Sequence, residues 1–315
     1  MTHVSLEAAV AACEVRHTRF LEILDLISNR IEETLRGGSP TITSVVGPSR
    51  IGKTQLSQAI AGKFPRITVG GIRQVPVVVA NSPTSTTIPL LPMAVLNALG
   101  VPYRKANATA GKLSEHMYAQ LAMAGSKAVV YDEASQLVDR GTRVLPFAAS
   151  EWIKETHNKS GVSQVLIGVF KLRRLFEAND QLRLRAYKEI VWRPYDASVQ
   201  SERESYQMTL DTFLNVFHRS GWTIAMPLPV IASNCYLHAP GLVGALSDLL
   251  KELARQLRRR QPGDITFQDF KAAASVLESA GHPNHPAFAK LEVSTVEMHQ
   301  AYMHALGNGE PSACL

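Results

Sequence analysis

One octapeptide constrains this chain more than any other feature: Gly47-Pro48-Ser49-Arg50-Ile51-Gly52-Lys53-Thr54. It is placed between a run of largely β-branched residues, Thr41-Ile42-Thr43-Ser44-Val45-Val46, and a segment of helical pattern over 53–63. A strand that turns through two glycines straight into a helix aims successive backbone N–H groups, and the positive end of the helix, at one place. A polyphosphate suits that place. The stretch satisfies GxxxxGK[ST] in full, and each fixed position has a reason. Gly47 and Gly52 permit the turns, Lys53 is a point charge for β- and γ-phosphates, and the Thr54 hydroxyl suits Mg²⁺. With Gln55 continuing into the helix, residues 47–55 are expected to bind ATP with Mg²⁺.

The flanking pattern makes the fold α/β. Strands are expected over 75–80, 127–131, 162–170 and 189–192, and helices over 5–35, 88–99, 109–124, 142–159 and 171–187. Near-continuous apolar strands alternating with helices describe a parallel sheet covered on both faces. Beyond Pro194 strand signals fade, and 201–220, 229–237, 241–260 and 266–280 all have helical pattern. The expected organisation is an N-terminal helical segment (1–39), a nucleotide-binding domain (40–196), a small helical lid domain (197–281) and a tail (282–315).

Asp132 and Glu133 follow the third strand, Lys127-Ala128-Val129-Val130-Tyr131. A carboxylate at a strand end beside the glycine loop is where a magnesium shell needs an acceptor, so Asp132 joins Thr54 as a metal residue. Glu133 is then placed to polarise a water for attack on the γ-phosphate.

Composition excludes several classes. The 315 residues are 45% hydrophobic and 19% charged, as in globular proteins, and no apolar run reaches membrane-spanning length. Glu7, Glu14 and Arg16 interrupt the N-terminus, which therefore lacks the core of a secretory signal. Cys13, Cys235 and Cys314 form no CxxC pair, so a reduced, cytoplasmic chain is expected. The ten histidines show no metal spacing; His282 and His285 lie in a proline-rich loop. A net charge of +6 permits a polyanionic partner.

Beyond these motifs, the chain resembles an AAA+ ATPase, and more narrowly the TnsC/TniB group of transposition regulators, functional relatives of MuB. Four stretches carry the resemblance: Val45 to Ser49; Pro76 to Pro83 with Leu96-Asn97-Ala98-Leu99-Gly100-Val101-Pro102; Ser150-Glu151-Trp152-Ile153-Lys154 with Val165-Leu166-Ile167-Gly168; and Asn179 to Arg185 with Ile190 to Tyr195. The resemblance implies a P-loop AAA+ fold with a five-stranded parallel sheet and a helical lid. It further implies ATP-dependent assembly into a ring or filament on duplex DNA, and a transposase and target-selection proteins as partners. In that family an arginine closing the helix before the fifth strand reaches a neighbouring subunit's nucleotide; Arg185 matches it best and Arg183 next, although either also suits a solvated helix face. Arg104 and Lys105, and Arg140 and Arg143, lie in loops expected to face a central pore and meet DNA phosphates there, and equally suit solubilising surface charge. Two departures, Gly168-Val169-Phe170 where a polar residue is usual and a lid helix starting at Pro240-Gly241 with no arginine in its first turns, imply slow or partner-dependent hydrolysis. A helicase-loader or replication-type ATPase and a nucleotide-gated signalling switch without DNA are the alternatives.

Overall fold

The computed structural model describes residues 5–83, 87–102, 109–139 and 146–307. The N-terminal segment, expected as one helix over 5–35, forms two: α1 (Leu6–Ala11), capped by the Ser5 hydroxyl, and α2 (Thr18–Leu35). Between them His17 is buried, its Nδ1 2.7 Å from the Tyr195 hydroxyl. By contacts the chain divides into two compact units, one of residues 19–47 and 53–192, the other of 1–18, 48–52 and 193–315.

The first unit is built on β1 (Ile42–Val46), which leads through the glycine loop into α3 (Lys53–Lys63). A hairpin of β2 (Ile67–Val69) and β3 (Ile72–Gln74) follows, then β4 (Val77–Asn81), α4 (Leu90–Leu99), α5 (Ala110–Met123) and β5 (Ala128–Asp132). A 3₁₀ turn over Ala134–Val138 precedes α6 (Pro146–Ser160) and β6 (Ser163–Gly168); α7 (Arg173–Glu177), α8 (Asp180–Arg185) and β7 (Ile190–Val191) complete the unit. The main sheet has the order β4-β5-β6-β1-β7 and is parallel throughout, the five-stranded sheet expected. Every residue of β1, β5 and β6 is buried, as required of strands covered on both faces. The core gathers Val78, Leu96, Met117, Val129, Ile153, Leu166 and Phe170.

Two local expectations change. The helix over 171–187 is broken, because the Asn179 side chain accepts from the N–H groups of Gln181 and Leu182 and starts α8 afresh. The β2–β3 hairpin was not anticipated; it turns on Gly70 and Gly71, both left-handed at φ 58° and 79°, which only glycine accepts in succession without cost.

In the second unit α9 (Gln200–Arg219), α10 (Leu228–His238), α11 (Val243–Leu257) and α12 (Phe267–Ser275) surround Tyr206, Phe213, Phe217, Leu246, Leu250 and Phe270, with short strands β8 (Thr223–Ile224) and β9 (Asp264–Ile265) alongside. The chain after Gly281 belongs to the same unit. Phe288 is fully buried, stacks 5.5 Å from Phe270, and donates its N–H to the Asn234 side chain, while α13 (Thr295–Gly307) packs on α10. No helix among the described residues is long and apolar enough to cross a membrane.

Candidate functional site

Parallel strands present all their C-terminal ends on one edge of the sheet, and the expected residues of the first unit collect there. The Gly47 N–H donates to the Gly168 carbonyl at 3.2 Å, tying the start of the glycine loop to the end of β6. Gly52 closes the loop at φ 115°, a conformation closed to side-chain-bearing residues, and α3 begins at Lys53. The Lys53 ammonium donates to the Gly47 carbonyl at 3.0 Å, so the lysine lies back across the loop's own mouth. Burial pushes its pKa down to about 8, with the charges of Asp132 and Glu133 opposing that fall. Thr54, in the first turn of α3, is exposed and Gln55 is half-buried; Ile51 is buried, Pro48 is buried, and Ser49 and Arg50 are exposed.

Asp132 ends β5 with 3% exposure, one oxygen accepting from the Glu133 N–H at 2.9 Å. Strand β6 lies between β5 and β1. Two strand spacings are about 10 Å, so Asp132 faces the loop across a gap, not beside it. Gly168 lets the turn after β5 come close to the end of β6, since a Cβ there would stand 2.9 Å from the Ser135 nitrogen. Glu133 is exposed and left-handed at φ 52°, and the Gln136 amide donates to its carboxylate. Thr54 and Asp132 offer hard oxygens, the donor type magnesium takes from protein when it keeps its waters and substrate phosphates for the rest. They fit that ion. Among the described residues no group of three or more His, Cys, Asp or Glu is arranged to hold a metal, and two protein oxygens do not require one.

Sequence reasoning missed Ser135. Its hydroxyl accepts from the Val169 N–H at 3.3 Å, placing a buried polar group at the end of β6, where the sequence shows only Gly168-Val169-Phe170. The signal was unreadable without the fold, because Ser135 comes from the turn after β5, 34 residues earlier.

Arg183 and Arg185 stand on α8, flanking Leu184, which is 78% exposed. Arg183 pairs with Asp180 at 2.8 Å, and Arg185 donates to the Asn158 side chain at 2.9 Å. Arg104, Lys105, Arg140 and Arg143 lie outside the described residues. In the second unit the Arg50 guanidinium is paired with Asp248 of α11.

Comparisons with known proteins agree with this arrangement. The chain is similar in fold to the Aeropyrum pernix ORC2 protein in ADPNP–ADP complexes, with a TM-score of 0.65 at 12% identity over 88% of this chain and 73% of that one. It is likewise similar to Cdc6p from Pyrobaculum aerophilum (TM-score 0.64, 14% identity, 86% and 71% covered). A third likeness is to the Aeropyrum pernix ORC1 protein solved in complex with DNA (TM-score 0.61, 18% identity, 86% and 69% covered). These likenesses establish the P-loop fold of AAA+ ATPases. No curated protein matches the sequence. The sequence profile of the bacterial TniB protein family matches residues 11–193, more than half the chain and all of the sheet-bearing unit, and the chain belongs to that family of AAA+ ATPases.

Proposed function

We propose that this protein is an ATP-dependent regulator of DNA transposition: in its ATP state it assembles on target duplex DNA and recruits or activates a transposase, and slow hydrolysis disassembles it. The observation that carries the reading is the pairing of TniB family membership with a glycine loop whose lysine sits within electrostatic reach of both Asp132 and Glu133. Gly47 to Gln55 hold the phosphates, Thr54 and Asp132 hold Mg²⁺, and Glu133 orients the attacking water. Magnesium, when bound, screens the phosphate charge. The Gln136 amide donates to the Glu133 carboxylate, which supports slow turnover until something draws the amide away. Arg185, with Arg183 as second choice, reaches the nucleotide of a neighbouring copy; the exposed Leu184 between them supports this reading.

DNA is engaged through phosphates by Arg104, Lys105, Arg140 and Arg143, so binding is salt-sensitive and weakly sequence-dependent. The ORC1 protein of like fold was solved with DNA, which fits the reading.

Electron microscopy of purified protein with duplex DNA tests it, with a non-hydrolysable ATP analogue, with ADP and without nucleotide. DNA coated only in the analogue sample supports the proposal, and Lys53→Ala should abolish the coating. Identical images with and without nucleotide would end the assembly reading. Small rings on single strands would favour a helicase loader, and indifference to DNA a signalling switch. Changing Arg140 and Arg143 together to alanine should lower the slope of log affinity against log salt by about two.

A further inference from the structure

The lid helix carries no arginine in its first turns, yet the second unit does join an arginine to that helix, in the opposite sense. The cation comes from the glycine loop and the anion from α11. Arg50 donates through Nη1 to the Asp248 carboxylate, a partner 198 positions away. Its carbonyl accepts from the Ala245 N–H at 3.2 Å, within the first turn of α11. Gly244 allows that approach, since a Cβ there would stand 2.4 Å from the same carbonyl oxygen. Arg50 is held left-handed at φ 60°, which a non-glycine residue keeps only where its surroundings fix it. Buried His238 senses the pair: burial chiefly lowers its pKa, the Arg50 charge lowers it further, and Asp248 opposes both.

The backbone of Arg50 is therefore pinned, while its side chain is held by an exposed ion pair. The guanidinium is 60% exposed and Asp248 37% exposed. An exposed ion pair is weak, and phosphate offers a guanidinium stronger, bidentate bonds. Asp248 without Arg50 would be a bare anion close to a loop that must receive several negative charges.

We infer that Arg50 is a phosphate-binding arginine supplied by the loop itself and held by Asp248, and that its exchange from Asp248 to an incoming triphosphate is how α11 registers nucleotide. This role rests on the nucleotide reading of the loop. A triphosphate competes for the guanidinium better than a diphosphate does, so the exchange separates the two nucleotides.

Fluorescent ATP and ADP analogues titrated into wild type, Asp248→Asn, Arg50→Gln and the double variant test it, with thermal unfolding recorded for each. Freeing Arg50 by Asp248→Asn should tighten ATP about two- to fivefold, the range an exposed pair is worth, and tighten ADP less. Arg50→Gln should weaken ATP, and in that background Asp248→Asn should lose most of its gain. A gain that persists in full without Arg50 overturns the exchange, since Asp248 would then act by repulsion alone; so does wild-type affinity in Asp248→Asn. Hydrogen exchange on the unaltered protein supplies a second readout: peptides of α11 should change with ATP and much less with ADP, and no difference between them overturns the exchange as well. Wild-type protein that binds neither nucleotide sinks the loop's nucleotide reading together with this inference, whereas binding without the variant effects sinks this inference only.

Discussion

Lys53 gives the sharpest prediction, because its environment sets a pH at which nucleotide affinity must change. Burial holds its pKa at about 8, well below the 10.5 of a free lysine, against the pull of Asp132 and Glu133. Only the ammonium form is a charge partner for phosphate. With a midpoint at about 8, roughly nine-tenths of the lysine is charged at pH 7 and roughly one-tenth at about pH 9. Apparent ATP affinity should therefore fall about tenfold across that interval, or ~1.4 kcal/mol. The triphosphate has by then lost its last proton and contributes little of its own. Fluorescent ATP titrations at half-unit pH steps measure it. Lys53→Arg separates the cause, since a guanidinium stays charged throughout, and whatever affinity it retains should be flat. Asp132→Asn removes a charge that holds the pKa up, so the midpoint should move to lower pH. A wild-type affinity that is constant or rising from pH 7 to about pH 9 would refute the reasoning.

The same lysine links to stability with the opposite sign. Its folded pKa lies below the unfolded value, so below about pH 8 the folded protein carries a partly desolvated cation at a cost of ~3 kcal/mol, a cost that fades as pH rises towards 10.5. Lys53→Met, which forfeits the bond to the Gly47 carbonyl at about 1 kcal/mol, should still melt a few degrees higher than wild type at neutral pH while binding no ATP; the advantage should shrink in alkaline buffer. Glu133→Gln should keep ATP binding and lose roughly 10²- to 10⁴-fold in hydrolysis, measured by phosphate release in single turnover. Gly241→Ala should cost about 3 kcal/mol or more, seen as a lowered melting temperature or loss of soluble protein. The residue is left-handed at φ 63° and an added Cβ would stand 2.2 Å from the Tyr195 carbonyl oxygen.

What could be foreseen from the chain depended on how local the cause was. The glycine loop, the strands around it and the carboxylate pair are each written in fewer than ten consecutive residues, and β1, β5 and β6 fall where their apolar runs stand. The hairpin at 67–74 had its signal in Gly70-Gly71, but Ile67, Val69 and Ile72 remain half or more exposed, so no burial pattern announced the strands. The break at Asn179 depends on a side chain that prefers capping to continuing a helix, and apolar spacing is silent about that choice. Ser135 at the end of β6 and Asp248 at Arg50 are pairings across 34 and 198 positions, with no local trace of the partner.

Those two distant contacts also explain why motif matching alone undervalues this loop. By sequence the loop has one cation that matters, Lys53, and Arg50 is a variable position. The fold gives them different electrostatic surroundings. Lys53 is half-buried, its proton loosened by desolvation and retained by two carboxylates of its own unit. Arg50 is exposed and matched to a single carboxylate on α11. Screening by salt should therefore weaken the Arg50–Asp248 pair long before it touches the balance at Lys53. A nucleotide-dependent response of α11 that vanishes in high salt, while ATP affinity at Lys53 survives, is the outcome that this division of charge requires.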